Sequence, residues 1–413
     1  MKLFKKPAVL LLSVFLLPIT VYADSDGSAA PANTENIVTD YYSDDLFEPL
    51  APVAAPVAGA APEIKTKSAV LMEVSTGEVL YQKNENEVVA PASITKIMSL
   101  LLIMEALDSN KIAKDDVVTA SEHASGMGGS QIWLEPGETM TVDELLKATA
   151  IGSANDATTA LAEYVAGSEE GFVGMMNERA AQLGMKNSNF KNCSGLDEKD
   201  HYMSAYDVAL VSRELMKHEG ITQYSTVWMD SLRGGQTQLV NTNRLVRFYE
   251  GCTGIKTGTT SQAGHCLSAS ASRGGVMFIA VVMGASSSDD RFASTRKLLD
   301  YAFANWTLAK LAIDESKIPD VKVIGGVQDF VEIADIETPK VLVPKGKEKE
   351  IAYEIAASDD ASAPVENGQR LGKIVVKLGG EVIAEIPLTA AYAVSKMTFF
   401  KALGKLLKAV AAL

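Results

Sequence analysis

Read for the spacing of apolar positions, the chain opens with an apolar run from Ala8 to Val21. The run follows Lys2, Lys5 and Lys6 and ends in Val21-Tyr22-Ala23, a small-residue cleavage pattern. It is broken by Pro18 and is shorter than the roughly 20 residues that a spanning helix needs, so residues 1–23 are expected to be a cleaved secretory signal. Residues 24–63 are acidic and then rich in Ala and Pro, a composition that builds no core and predicts a flexible tether. Order is expected from about Ile64. Two short strand-like runs, Ala69 to Val74 and Val79 to Gln82, are separated by Ser75-Thr76-Gly77-Glu78, a hairpin-type loop. Helical patterns follow, with Pro91 near one helix start and Thr141-Val142-Asp143-Glu144 as a capping box before another. Strand patterns return at Gly254 to Gly258, Cys266 to Ser272 and Val276 to Met283. Phe292, Leu299, Phe303 and Trp306 then recur at helical spacing. Strands first, helices between and strands last predict an α/β (α+β) domain over residues 64–312, an antiparallel sheet flanked by helices.

From about Lys317 the alternation has period two. Ile351, Tyr353 and Ile355 oppose Glu350 and Glu354, while Ile374, Val376 and Leu378 oppose Lys373 and Lys377. Gly379-Gly380 supplies a turn into Val382 to Pro387, so a small all-β domain is expected at 317–390. The final segment, 391–413, has no acidic residue. Phe399, Phe400, Leu403, Leu406, Leu407, Val410 and Leu413 gather on one helical face, with Lys401, Lys405 and Lys408 opposite and Lys396 near the apolar side. This pattern predicts an amphipathic helix lying in the surface of an anionic membrane, not crossing it. The alternative is a helix docked on the protein's own surface.

With 413 residues and 47% hydrophobic composition the chain is long enough for two cores. Loss of Lys2, Lys5 and Lys6 with the signal removes three positive and no negative charges, taking the formal charge from −14 to −17. Such an acidic body argues against nucleic acid as a partner, because phosphate binding needs a basic surface. Cys193, Cys252 and Cys266 are odd in number and lack metal-ligand spacing, so they read as packing residues, with neither a disulfide framework nor a metal site indicated. His123, His201, His218 and His265 form no recognisable partner motif for a cysteine nucleophile.

Three motifs carry the candidate chemistry. Ser93-Ile94-Thr95-Lys96 precedes the apolar run Ile97 to Ile103, which places Ser93 in the first turn of a buried helix with Lys96 one turn on, on the same face. A serine hydroxyl becomes a nucleophile when a base takes its proton, and a desolvated lysine is neutral enough to do so. The same S-x-x-K spacing recurs at Ser188 to Lys191 and Ser294 to Lys297, which read as surface pairs. Ser153-Ala154-Asn155 falls in a break between two helical stretches, where Ser153 is either a cleft residue or a helix cap. Lys256-Thr257-Gly258-Thr259 lies on an edge-like strand. Its cation and hydroxyl suit a terminal carboxylate, and Gly258 allows close backbone approach.

The three motifs in this order match a signature shared by penicillin-binding proteins and class A β-lactamases. Gly128-Gly129-Ser130, Leu134-Glu135-Pro136-Gly137-Glu138, Ala154-Asn155-Asp156-Ala157 and Gly368-Gln369-Arg370-Leu371-Gly372 extend the likeness. From about Lys65 to Leu413 the chain resembles the D-alanyl-D-alanine carboxypeptidases, the low-molecular-mass penicillin-binding proteins. The resemblance implies a transpeptidase/β-lactamase-like domain followed by a β-sandwich, and a secreted protein held peripherally at the outer face of the cytoplasmic membrane. It also implies peptidoglycan stem peptides as substrate, β-lactam antibiotics as covalent ligands, and no cofactor. Carried over to this sequence, it makes Ser93 the acylated nucleophile and Lys96 its base, with Ser153 and Asn155 handling protons and the substrate amide. Lys256 and Thr257, beside Gly258 and Thr259, would hold the carboxylate. The backbone amides of Ser93 and Thr259 would form the oxyanion hole, and Arg291 would stand near the carboxylate or else in a surface ion pair. A class A β-lactamase is the competing enzyme, but no Glu followed four residues later by Asn occurs between Asp156 and Lys256. A non-enzymatic wall or membrane scaffold is the third reading, disfavoured by three intact motifs.

Overall fold

The structure, a computed structural model, describes residues 48–50, 59–336 and 340–404. The expected signal peptide at 1–23 lies outside the described residues, as do 24–47 and 51–58 of the tether and 405–413 of the tail.

Strands β1 (Ser68–Glu73), β2 (Val79–Lys83), β3 (Cys252–Thr260), β4 (Gly264–Arg273) and β5 (Val276–Ala285) form one antiparallel sheet in the order β2-β1-β5-β4-β3. The first and last segments of the domain meet in the middle of that sheet, where Val70 faces Val281 and Met72 faces Ile279. Alternation along β1 and β5 sorts their side chains to two faces. Val70, Met72, Ile279, Val281 and Met283 enter a core shared with helices α1 (Lys96–Asp108), α2 (Val142–Ala150), α3 (Asn155–Ala166), α4 (Glu169–Gln182) and α5 (Ala205–Leu215). Ala69, Leu71, Phe278, Ala280 and Val282 pack on the other side against helix α6 (Ser288–Asn305) through Phe292, Leu298, Leu299 and Phe303. Sheet burial on both faces is why these strands read as near-continuous apolar runs. Helix α1 is apolar nearly all round, as a helix in the centre of a domain must be. Its Ile97, Met98, Leu101 and Ile103 are fully buried, each contributing about 1.5–3 kcal/mol of transfer free energy. The Thr141 capping box forms, with the Thr141 hydroxyl receiving the Glu144 N–H and the Glu144 carboxylate receiving the Thr141 N–H.

The second region combines strands β6 (Trp306–Lys310), β7 (Val321–Ile324), β8 (Phe330–Val331), β9 (Lys340–Pro344), β10 (Ile351–Ala357), β11 (Asp360–Ser362), β12 (Arg370–Leu378) and β13 (Glu381–Thr389). Strand β12 pairs with β10 and β13, β7 with β8 and β11, and β6 with β9. Two boundaries differ from the expected ones. Helix α6 ends at Asn305, and Trp306 starts β6 by pairing with Pro344, so the β region begins there and not at 317. Trp306 has helical spacing from Phe303, but its strand partner is 38 residues away and invisible to local periodicity. At the other end, Val394 is fully buried and bridges Val365, and Lys396 bridges Gly326, so residues 391–397 complete the β region. Helix is present only from Phe399 within the described part of the tail. No helix among the described residues is long and apolar enough to cross a membrane.

Candidate active site

Ser93 lies in a 3₁₀ turn, Ala92–Thr95, that runs directly into α1 at Lys96, so the candidate nucleophile and the lysine are joined by one tight turn. Ala92 has φ +49, a left-handed conformation uncommon for a residue with a side chain. Two glycines make room for this turn. A Cβ on Gly195, whose φ is +91, would stand 1.9 Å from the Ala92 carbonyl oxygen and 2.9 Å from Thr95 Oγ1. A Cβ on Gly258 would stand 2.8 Å from the Pro91 carbonyl oxygen and 3.0 Å from the Ile94 nitrogen. Strand β3 therefore presses its backbone onto the Ser93 turn at Gly258, bringing Thr259 beside it. From beneath, His201 Nε2 is 2.8 Å from Thr95 Oγ1, while His201 Nδ1 accepts the Lys191 N–H at 3.2 Å. That acceptor role leaves the ring proton on Nε2, donated to Thr95. Burial holds the His201 imidazole down to about 4, so it stays neutral in this role at neutral pH.

Lys96 is fully buried and its ammonium is brought down to about 7, with desolvation the dominant cause, opposed by Cys193 and Asp156. Its Nζ contacts three oxygens: Asn155 Oδ1 at 2.5 Å, the Ser194 carbonyl at 2.7 Å and Ser93 Oγ at 3.1 Å. The first two are acceptors only. Neutral Lys96 has two N–H bonds, and these two oxygens use both, which turns the nitrogen lone pair toward the Ser93 hydroxyl. Asn155 is oriented for this by donating Nδ2 to the Gly128 carbonyl at 2.6 Å, while its own N–H goes to the Ser130 carbonyl. A Cβ at Gly129 would stand 2.7 Å from Asn155 Nδ2, which accounts for the Gly128-Gly129-Ser130 segment.

Ser153 has φ +61 and is buried. The cap of α3 is Ala154, with no side-chain bond, so the helix-cap alternative for Ser153 does not hold. The loop opposite is fixed by Asp156, whose carboxylate accepts the N–H groups of Ile132, Leu134 and Ala157. Arg233 closes the same loop from outside by pairing both Glu138 oxygens and donating to the carbonyls of Ile132 and Trp133.

On the edge strand β3, Lys256 is buried, and desolvation together with the nearby Lys96 and Arg291 charges holds its ammonium well below the ordinary lysine range. Its described hydrogen bond is to the Thr257 carbonyl at 3.3 Å, and among the described residues it has no carboxylate partner. Thr257 Oγ1 donates to Thr242 Oγ1 at 2.6 Å. Arg291 is buried. Its Nη1 donates to Thr259 Oγ1 at 3.1 Å and its Nη2 to Ser288 Oγ. Thus the structure gathers Ser93, Lys96 and Asn155 around one nitrogen, Gly258 against the Ser93 turn, and Lys256 and Arg291 into one cationic field.

The other S-x-x-K occurrences lie elsewhere: Ser188 bonds Asp207, and Ser294, which is buried and not on the surface as expected, accepts the Lys65 N–H. Cys193 and Cys266 are buried and Cys252 half-buried, all three unpaired, and burial raises each thiol, Cys252 to about 12 and Cys266 to about 11. They are packing residues. Sequence reasoning did not find the Ser194 carbonyl, Gly195, His201, Thr242 or Arg233. The spacing of Asn192 and Gly195 is a turn signal, and Asn192 Oδ1 does accept the Gly195 N–H, but nothing local connects that turn to Lys96.

Comparison with known proteins agrees with this geometry. Residues 55–287 match the D-alanyl-D-alanine carboxypeptidase family profile, and residues 306–396 match the C-terminal domain of penicillin-binding protein 5. The chain is 50% identical to D-alanyl-D-alanine carboxypeptidase DacF of Bacillus subtilis over 81% of its length and 87% of the relative's. It is 33% identical to DacC of Escherichia coli over 86% and 90% of the two chains. The structure superposes on penicillin binding protein 5 from Haemophilus influenzae with a TM-score of 0.74 at 31% identity, covering 82% of this chain and 99% of that one. With a serine-lysine pair on a transpeptidase-like sheet-and-helix core and a β region behind it, the chain belongs to the S11 family of serine D-alanyl-D-alanine carboxypeptidases.

Proposed function

We propose that the chain removes the terminal D-alanine from peptidoglycan stem pentapeptides by acyl transfer through Ser93. The observation that carries this reading is the Lys96 nitrogen: buried, near-neutral at physiological pH, and with its two N–H bonds occupied by Asn155 and Ser194. Its lone pair takes the Ser93 proton as Oγ attacks the carbonyl between the two D-alanines. The amides of Ser93 and Thr259 receive the oxyanion. Ser153, beside the departing amine, relays to it the proton that Lys96 took from Ser93, so the free D-alanine leaves and Lys96 is neutral again. Water then cleaves the acyl-enzyme: Lys96 takes the water proton as its oxygen attacks the ester carbonyl and returns it to the departing Ser93 Oγ, and no cofactor enters either step. Asn155 also holds the substrate amide. Lys256 and Thr257 hold the terminal carboxylate, with Arg291 adding its field through Thr259. A buried lysine without a carboxylate partner suits an incoming anion, because desolvated cations are costly until paired. A β-lactam, whose amide and carboxylate have the same disposition, acylates Ser93 and stays. Asp156 does not suit the water-activating role a β-lactamase requires, since its oxygens are taken by backbone N–H groups.

The test is to incubate the mature protein with diacetyl-lysyl-D-alanyl-D-alanine and measure free D-alanine with and without penicillin, mapping the penicillin adduct by peptide mass. Penicillin-sensitive release and an adduct on the peptide containing Ser93 are expected. Rapid penicillin turnover without D-alanine release would move the reading to a β-lactamase.

We further infer peripheral attachment to the outer face of the cytoplasmic membrane through the tail. In its described part Phe399, Phe400 and Leu403 are 76%, 82% and 41% exposed, an apolar face consistent with burial in lipid. Deleting residues 398–413 is expected to move the protein from anionic vesicle pellets to the supernatant in co-sedimentation assays while D-alanine release stays within about twofold. Continued co-sedimentation of the truncated protein would rule out the tail as the anchor.

A further inference from the structure

The Thr257 hydroxyl of the carboxylate-binding strand is already engaged, and its partner is not a residue of any of the three motifs. Thr257 Oγ1 donates to Thr242 Oγ1 at 2.6 Å. Thr242 is half-buried, and the two residues flanking it are buried asparagines whose amides fix the backbone on both sides. Asn241 donates Nδ2 to the Val227 carbonyl at 2.8 Å and accepts the Asn243 N–H at 2.9 Å. Asn243 donates Nδ2 to the Gly254 carbonyl at 3.0 Å, on the same strand as Thr257, and accepts the Leu245 N–H at 3.1 Å. The Asn241 N–H goes to the Trp228 carbonyl. Buried amides with their groups matched in this way form a rigid bracket. What the bracket presents to the site is a single hydroxyl, that of Thr242.

We propose that Thr242 is a positioning residue that directs the Thr257 hydroxyl toward the substrate's terminal carboxylate. This inference rests on the carboxypeptidase reading and on Thr257 as a carboxylate contact. A hydroxyl has one proton to donate and room to accept, and a pair 2.6 Å apart can reverse its direction by two rotations without moving a heavy atom. In the structure Thr257 donates to Thr242. When a carboxylate arrives beside Lys256, the Thr257 proton turns to it, because a charged acceptor is stronger than a neutral one. Thr242 then reverses and donates to Thr257 Oγ1. The oxygen of Thr257 is satisfied in both states and its side chain keeps one rotamer. Without the Thr242 hydroxyl, Thr257 loses that support, and discrimination in favour of carboxylate-terminated substrates falls. Thr242 touches neither Ser93 nor Lys96 in the described hydrogen bonds, so the attack on the carbonyl itself is not its concern.

The test compares wild type, Thr242→Val, which keeps the shape and removes the hydroxyl, and Thr242→Ser, which restores it. Two activated substrates are used, an N-acyl-D-alanyl thioglycolate, which carries a carboxylate, and the matching methyl thioester, which does not. Active sites are first counted by penicillin labelling carried to completion. Thr242→Val is expected to lose about tenfold in kcat/KM on the thioglycolate, the worth of one hydrogen bond to a charged partner, and less than about twofold on the methyl thioester. Thr242→Ser is expected to recover most of the difference. Equal losses on both substrates, no loss on either, or no recovery with serine would overturn the proposal. If wild type itself turns over neither thioester, the carboxypeptidase reading fails first and this one falls with it.

Discussion

A Ser93→Ala enzyme is expected to release no D-alanine above the solvent rate and to form no covalent penicillin adduct, a loss of at least about 10⁴-fold in kcat. On the proposed mechanism the change removes the atom that bonds to the substrate, and it leaves the rest of the site standing. Ser93 Oγ is one of three oxygens around Lys96 Nζ, and the other two, from Asn155 and Ser194, remain. Lys256, Thr257 and Arg291 have no described hydrogen bond to Ser93. Noncovalent affinity for the pentapeptide, measured by calorimetry on the inert variant, is therefore expected to change by less than about threefold. Residual penicillin-sensitive release by this variant would contradict Ser93 as nucleophile.

The second large effect concerns Lys96. With its ammonium brought to about 7, the wild-type rate constant for acylation by penicillin should rise close to tenfold per pH unit below that value and level off above it. The sign follows from the role: the neutral amine is the active form, and it accumulates as pH rises through the lowered value. Lys96→Gln removes the base and is expected to cost about 10²–10⁴-fold in acylation and to flatten the pH profile below 7. Lys96→Arg separates base from charge, because a guanidinium keeps the positive charge and cannot give up its proton in this range. If charge alone mattered, arginine would restore activity. The expectation is that it does not. Stopped-flow acylation across pH 5 to 9 with the three proteins decides the point, and a flat wild-type profile would remove Lys96 as the base.

Much of this site was legible in the chain because its signals are local. Serine and lysine three apart at the head of an apolar helix fall on one face by helical geometry alone. The Thr141 capping box is a four-residue pattern, and it forms as expected. An edge strand carrying Lys256, Thr257 and Gly258 follows from the turn residues and apolar runs around it, and β3 is indeed the edge of the sheet. Recognition of the family rested on the order of three such patterns. The misplaced boundaries show the limit of the same method. Trp306 continues a helical spacing from Phe303, and only pairing with Pro344 makes it a strand. Val394 sits in what reads as the start of a membrane-binding segment, and only its burial against Val365 assigns it to the β region.

Sequence alone thus determined the class of domain and singled out the serine, the lysine and the edge strand that we propose as nucleophile, base and substrate-facing strand, since each depends on periodicity or on residues within one turn. Tertiary structure decided the surroundings on which their proposed reactivity rests. The lone pair of Lys96 is aimed by oxygens from Asn155 and Ser194, which lie 59 and 98 residues away in the chain. Its lowered proton affinity comes from burial, a property of the packed core and not of the lysine. Gly195 and Gly258 are ordinary glycines until folding brings the Ala92 and Pro91 carbonyls against them. Thr242 is an unremarked polar residue until Asn241 and Asn243 lock it beside Thr257. Contacts between distant segments leave no periodic trace in the chain, because they are fixed by how the elements pack and not by the local backbone.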